Sequence, residues 1–285
     1  MSDAAPLIAG LIGAHIGQSR LSAALGRLAD ATGHGFEFTA IDSAEDPDFD
    51  FAATVADCRE KGWTGVTVTH PHKTEAAALA GDGMLPRVAH LGACNTLVFD
   101  PDHERVVGHN TDYTGFKSLW RAEMPVTQPG RVAMAGAGGV ARAIAPALLR
   151  LEADEIAVWD PEPGRAAALA ADFGSKIRAI DPVDARGAIL EADGLVNATA
   201  LGMGYNPGTA FDPKLVGGQT WAFDAVYTPP DTPFLTRAAD QGLTCLSGFD
   251  LFRHMAVDSF EAYLGTGAAP ADALDLLADL RPTTN

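Results

Sequence analysis

Cysteine is scarce in these 285 residues: Cys58, Cys94 and Cys245 are the only three, far apart and odd in number. No Cys-x-x-Cys or mixed Cys/His spacing links them, so neither a disulfide framework nor a metal site is expected. Free thiols fit a reducing compartment, and the cytoplasm is the expected location. Basic residues are also few, 20 Lys and Arg against 37 Asp and Glu, for a net charge of −17. A field of that sign repels nucleic-acid phosphates and anionic lipid, so neither is an expected partner. An anionic substrate would need a local positive charge set against this background. Long apolar runs are missing too: no stretch approaches the roughly 18 apolar residues that a membrane-spanning helix requires. The apolar start, residues 6–13, has no basic segment before it and reads as a buried strand rather than a signal peptide. There is no internal repeat and no low-complexity tract.

What is present is a chain 47% hydrophobic and 20% charged, enough for the cores of two domains. Strand and helix patterns alternate almost throughout, which predicts a parallel α/β architecture. In the first part, strands are expected at 7–16, 36–41, 66–70 and 95–99, with helices at 21–32, 51–61 and 73–80. A helix at about 114–121 leads into a second series. That series follows the turn-like Thr127-Gln128-Pro129-Gly130. Its expected strands lie at 131–135, 155–159, 176–180, 194–197, 222–226 and 243–246. Helices are expected at 140–151, 164–173, 182–190, 234–241 and 250–264. A last one covers 270–280, with Pro270 in its first turn.

The stretch RVAMAGAGGVARAIAPALL has a strand, a glycine turn and a helix in order. Gly136 permits a tight bend, and Gly138 permits a pyrophosphate to approach the backbone. Gly139 stands at the helix start, where free N–H groups and the positive dipole end favour phosphate. With Ala137 and Val140 these residues form the expected cofactor turn. A Gly-x-Gly-Gly motif alone is weak evidence. Here the next strand ends in Asp160, 24 residues past Gly136. That is near the ~20 residues at which a carboxylate binds the adenosine ribose diol. The carboxylate pairs with a free 2′-hydroxyl and repels a 2′-phosphate, which favours NAD over NADP. Arg165 nearby has the chemistry to accept that phosphate, so NADP stays open.

Two segments look reactive. GVTVTHPHK sets Lys73 just after a strand, and GHNTDYTGF sets Asp112 in a turn-like stretch before a helix. Ligands collect at strand-end loops of α/β sheets. Moving a hydride off a secondary alcohol requires removing the hydroxyl proton, which a neutral lysine amine can accept and a nearby aspartate can share. Each residue alone reads equally as a surface charge or a helix cap. His70 and His72 flank Pro71, but no third ligand stands at a useful spacing for a metal.

Eight ordered motifs, GLIGAHIGQS, VTVTHPHK, GACNTL, GHNTD, GAGGVARA, VNATALGM, FDAVYTPPDTPFL and SGFDLF followed by Phe260-Glu261, span nearly the whole chain. On these the chain resembles the shikimate/quinate dehydrogenases. The resemblance implies an N-terminal α/β catalytic domain over 1–112 and 249–285, its last helices returning to it, and a Rossmann-type parallel-sheet domain over 113–248. It implies reversible oxidation of a ring hydroxyl on a hydroxylated cyclic carboxylate, with Lys73 and Asp112 as the catalytic pair. Ser19, Thr69, Lys73, Asn95, Asp112, Tyr227 and Met255 fall on substrate positions. Thr199, Leu201, Met203, Val226 and Gly248 fall on positions near the nicotinamide. NADP-using members usually carry Asn-Arg-Ser/Thr after the second cofactor strand, where this chain has Asp160-Pro161-Glu162. The expected partner is thus a small anionic ring acid; a homodimer is compatible with the sequence.

Three positions depart from the family pattern. Leu21 stands where a second hydroxyl residue is usual, Thr67 replaces an asparagine, and Met255 takes the place of a glutamine. A buried polar group left without a partner costs about 1–3 kcal/mol. A shikimate-like hydroxyl pattern would lose bonds here unless Ser22, Arg20 or His254 substitutes. The expected function is therefore interconversion of shikimate or quinate with its 3-dehydro ketone. Two alternatives stand beside it: a same-fold enzyme for another ring acid, such as an aminated shikimate analogue, and a non-catalytic NAD-binding sensor.

Overall fold

The computed structural model describes residues 5–100 and 105–283. The first segments form as their patterns dictate. β1 (Leu7–Gly13) is buried along nearly its whole length. α1 (Leu21–Thr32) buries Leu21, Ala24, Leu25, Leu28 and Ala29, an i, i+3, i+4, i+7, i+8 stripe. It stops at Gly33, which adopts φ 73° and returns its N–H to Ala29 and Asp30. β2 (Phe36–Asp42), α2 (Phe51–Glu60), β3 (Gly65–Val68) and α3 (Lys73–Ala80) follow. After α4 (Pro86–Ala89) come β4 (Thr96–Asp100), β5 (Arg105–His109) and α5 (Thr111–Glu123). Ile12, Val66, Val68 and Leu97 of the sheet pack on Phe51, Val55 and Cys58 of α2.

The first sheet has the order β2-β1-β3-β4-β5. β1 runs parallel to β2 and β3, whereas β4 is antiparallel to β3 and to β5. The first sheet is therefore mixed rather than wholly parallel, and β5 is a strand the sequence reading lacked. Four residues separate β4 from β5. A parallel return needs a crossover of a dozen or more, so the chain must come straight back as a hairpin. β1 also ends three residues earlier than expected. His15 and Ile16 leave the strand because their N–H groups bond the Asp42 carboxylate, at 2.8 and 3.0 Å.

The second series runs β6 (Arg131–Ala135), α6 (Ala141–Arg150), β7 (Glu155–Trp159), α7 (Arg165–Phe173), β8 (Ile177–Ala179) and α8 (Ala185–Glu191). It continues with β9 (Gly194–Asn197), β10 (Trp221–Asp224), α9 (Pro233–Asp240), β11 (Thr244–Ser247), α10 (Gly248–Leu264) and α11 (Ala273–Leu276). Its sheet is entirely parallel, ordered β11-β10-β9-β6-β7-β8. The chain winds outward from β6 to β8 and then from β9 to β11 on the other side. This is the doubly wound dinucleotide-binding order, and its direction reverses between β6 and β9.

The expected helix over 270–280 shrinks to α11 and a 3₁₀ turn at Ala278–Leu280. Arginine side chains hold its carbonyls: Arg253 bonds Leu274 O, Arg27 bonds Leu276 O and Arg20 bonds Leu280 O. Arg27 also pairs with Asp279. The chain divides into two compact units, Met1–Thr114 with Arg253–Leu280, and Gly115–Phe252 with Arg281–Asn285. Among the described residues no helix is long and apolar enough to cross a membrane.

Candidate active site

Lys73 is the first residue of α3, one tight turn beyond β3. Asp112 lies in the first turn of α5 rather than in a loop ahead of it. A carboxylate there sits at the positive end of the helix. The two meet: Lys73 Nζ donates to Asp112 Oδ2 at 2.5 Å, with side chains 20% and 14% exposed. The pair is shielded enough to hold one geometry and open enough to reach a ligand.

Asn95, 1% exposed, accepts from Thr111, the residue before Asp112. Its Oδ1 accepts from the Thr111 N–H at 2.7 Å and from the Thr111 and Thr96 hydroxyls at 3.2 Å. That fixes the amide orientation, with Oδ1 engaged by three donors. Thr111 also meets the Ser259 hydroxyl at 3.0 Å, and Asn110 caps α5 by accepting from Tyr113 N at 3.1 Å. Sequence reading quoted Asn110 and Thr111 inside a motif but gave them no role. Asn110 just ahead of a helix was a legible capping signal; the Ser259 contact, 148 residues away, carried none.

Among the described residues no side-chain hydrogen bond joins the other substrate candidates of this unit to the pair. Ser19 is exposed, and its hydroxyl accepts from Leu21 N at 3.3 Å. Thr69 is half-buried, with its methyl pressed on Gly13, where an added Cβ would lie 2.3 Å away. Met255 is half-buried on α10. Leu21 is 2% exposed and belongs to the core stripe of α1. Arg20, weighed as a substitute donor, already donates to Leu280 O.

Thr67 is not a gap in a substrate pocket. Its hydroxyl bonds Tyr263 OH at 2.8 Å, and both residues are buried. Burial pushes the Tyr263 hydroxyl well above the usual tyrosine range, so it stays protonated and keeps this bond. Thr67→Val should leave that hydroxyl orphaned and cost about 1–3 kcal/mol. Thermal denaturation should show a lower Tm with unchanged KM for the expected ring acid; a changed KM at constant Tm would return Thr67 to the pocket. His72 is likewise structural. Its ring nitrogens meet Ser43 Oγ at 2.9 Å and Glu75 at 3.2 Å, and it stacks on Phe51. Among the described residues no group of three metal-capable side chains exists.

In the second unit the glycine turn joins β6 to α6. Gly136 has φ 94°, and a Cβ there would lie 2.8 Å from the Ala198 carbonyl and from the Thr199 methyl. Gly138 and Gly139 face open space, with nothing within 4 Å of an added Cβ. Val140 caps α6 without a side-chain bond. The residues thus fit a phosphate-bearing ligand: Gly136 leaves no room for a side chain, and Gly138 and Gly139 leave open space beside a helix start.

Asp160, just past β7, holds that turn. Its Oδ2 accepts from Ala137 N and its Oδ1 from Glu162 N, each at 2.8 Å. Arg165 is exposed and paired with Glu162.

The segment 199–203 hangs on Asn197. Asn197 Oδ1 accepts from Thr199 N and Oγ1 at 3.0 and 2.6 Å, and its Nδ2 donates to Leu201 O at 3.0 Å. Val226 is fully buried, and Gly248 packs so closely on it that a Cβ would lie 2.7 Å from the Val226 carbonyl. Met203 is half-buried, and Tyr227 stacks on Phe252 at 5.4 Å. Asn197, Asp224 and Thr232, buried and polar, were missed by sequence reading. An acidic or amide residue ending each of two adjacent apolar strands, GLVN and WAFD, was the available signal.

The doubly wound sheet and its glycine turn define a dinucleotide-binding oxidoreductase class. Residues 11–97 match the shikimate dehydrogenase substrate binding domain. A quinate/shikimate dehydrogenase (NAD(+)) of Corynebacterium efficiens is 40% identical over 212 residues, 73% of this chain and 74% of that protein. A shikimate dehydrogenase (NADP(+)) of Streptomyces avermitilis is 36% identical over 281 residues, 96% of this chain and 94% of that one. The solved structure of quinate dehydrogenase from Corynebacterium glutamicum in complex with NAD superposes with a TM-score of 0.90 at 30% identity, covering 97% of this chain and 100% of that chain. The chain belongs to the shikimate/quinate dehydrogenase family, oxidoreductases that use a nicotinamide cofactor.

Proposed function

We propose that this protein interconverts shikimate or quinate with the corresponding 3-dehydro ketone, preferring NAD to NADP. The observation that carries the reading is the 2.5 Å Lys73–Asp112 bond at paired helix starts. On oxidation, the substrate hydroxyl gives its proton to the Lys73 amine, and Asp112 orients that amine and shares the charge that forms. A bound nicotinamide would supply the hydride acceptor. Asn95 Nδ2 donates to a ring oxygen, and Ser19, Thr69, Tyr227 and Met255 complete the substrate's surroundings.

Gly136, Ala137, Gly138, Gly139 and Val140 would hold the pyrophosphate. Thr199, Leu201, Met203, Val226 and Gly248 would flank the nicotinamide. Asp160 would take the ribose diol: each oxygen accepts one backbone N–H, which leaves lone pairs for hydroxyls. Glu162 engages Arg165 and adds a second carboxylate beside Asp160, so a 2′-phosphate meets repulsion and a neutralised arginine.

Initial rates with shikimate and quinate, each with NAD⁺ and NADP⁺, test substrate and cofactor together. The expected result is turnover of at least one ring acid, with kcat/KM at least about tenfold higher for NAD⁺, equivalent to ~1.4 kcal/mol. Asp160→Ser should narrow that ratio. Equal or better use of NADP⁺ by the unaltered protein would overturn the cofactor assignment. Leu21 and Met255, apolar where hydroxyl partners are usual, favour one second reading: a ring acid with fewer or different substituents. Turnover confined to an aminated analogue would select it.

A further inference from the structure

We propose that Asp224 is a positioning residue for the cofactor, its one buried carboxylate setting the two segments, 197–203 and 226–227, between which the nicotinamide lies. This rests on the reading that those segments flank that ring.

Asp224 ends β10 and Asn197 ends the neighbouring β9; both are fully buried. Asp224 Oδ1 accepts from Asn197 Nδ2 at 2.9 Å and from Val226 N at 3.0 Å. Oδ2 accepts from Thr232 Oγ1 at 2.6 Å. Each partner anchors a different stretch of chain. Asn197 uses its remaining atoms on Thr199 and Leu201, and the Thr199 hydroxyl accepts from Leu201 N at 3.0 Å. Val226 opens the segment leading to Tyr227. Thr232 caps α9 by accepting from Leu235 N at 3.2 Å. The Asn197 amide therefore has one allowed orientation, and Asp224 ties that amide to β10 and to Val226.

Among the described residues the three groups that bond the carboxylate all donate, and no charged side chain faces it. Such a site suits the ionised form. Burial works against it and pushes the carboxyl up to about 6, despite the three donors that pull it down. Protonation can be accommodated only at Oδ2, where the Thr232 hydroxyl would have to turn round. The same weakening of the network is reached by Asp224→Asn at any pH.

Above pH 7, Asp224→Asn should raise the Kd for NAD about tenfold and leave the Kd for ADP-ribose, which lacks the nicotinamide, within about twofold. In the unaltered protein the KM for NAD should rise as pH falls through about 6, and in Asp224→Asn that limb should be absent. Thr232→Val removes one donor while keeping the charge. It should shift NAD affinity in the same direction by less, and Thr232→Ser should restore it. These variants keep the test decisive if Asp224→Asn does not fold. A merely structural role would lower Tm and weaken NAD and ADP-ribose equally, and that outcome overturns the proposal. Met203→Ala tests the underlying reading. If it leaves the preference for NAD over ADP-ribose intact, the segments do not flank the nicotinamide. If it removes that preference while the Asp224 and Thr232 variants do not, only the role of Asp224 falls.

Discussion

Lys73→Ala should lower kcat about 10²–10⁴-fold with whichever ring acid is turned over, while the Kd for NAD stays within about twofold of the parent. The expectation follows from which atoms the lysine touches. Its Nζ bonds Asp112 at 2.5 Å, and both residues belong to the unit without the glycine turn. Removing the amine deletes the proton acceptor and its hydrogen bond to the substrate hydroxyl, so the KM for the acid should rise as well. The fold should survive. Asp112 is left half-buried without its cation, but it keeps the first turn of α5, whose free N–H groups stabilise a negative charge. Asp112→Asn should fall in the same range, and the double variant should be little worse than either single one, because residues acting as a unit lose their effect together. Circular dichroism and NAD titration separate loss of chemistry from loss of structure. Parental rates in Lys73→Ala would refute its role as the base. Loss of NAD affinity in that variant would mean that Lys73 also supports cofactor binding.

The elements that the sequence makes legible are those whose signal is local. The span of α1 could be read residue for residue, because its stripe of buried positions ends at a glycine. The cofactor sheet could be read as parallel because each short apolar strand is followed by a helix-length segment. Lys73 and Asp112 drew attention from two separate motifs 39 residues apart, and their adjacency is a property of the fold alone. The hairpin of β4 and β5 was lost to a general pattern of alternation, although four residues could never have carried a crossover. What stayed hidden was set by distant partners. Thr67 looked like a missing substrate ligand because Tyr263 lies 196 residues away. The last helix looked regular because nothing local announces that arginines 249 and 260 residues earlier would take its carbonyls. Asp224 and Asn197 looked like ordinary strand ends, since a buried polar network is recognisable only once its members meet.

The glycines of the cofactor turn should respond to alanine in two different ways. Gly136→Ala should be the second most damaging change after those at the catalytic pair. Its backbone stands at φ 94°, and the new methyl would lie 2.8 Å from the Ala198 carbonyl carbon and oxygen. Those atoms belong to the chain leaving β9, which is hydrogen-bonded to β6, so neither side can yield without spreading the sheet where the strand order reverses. Strain of this kind costs about 1–3 kcal/mol in the protein alone. A lower Tm without ligand and a NAD affinity reduced at least about tenfold are the expected readings. Gly138→Ala and Gly139→Ala should leave the ligand-free Tm unchanged, since nothing lies within 4 Å of either added methyl. The Gly138 methyl would instead enter the space assigned to the pyrophosphate, so NAD and ADP-ribose should weaken together, without a stability cost. The contrast separates a glycine demanded by the fold from one demanded by the ligand. If Gly138→Ala binds NAD as tightly as the parent, the pyrophosphate does not cross that glycine, and the turn's role rests on Gly136 and the Asp160 carboxylate that holds Ala137.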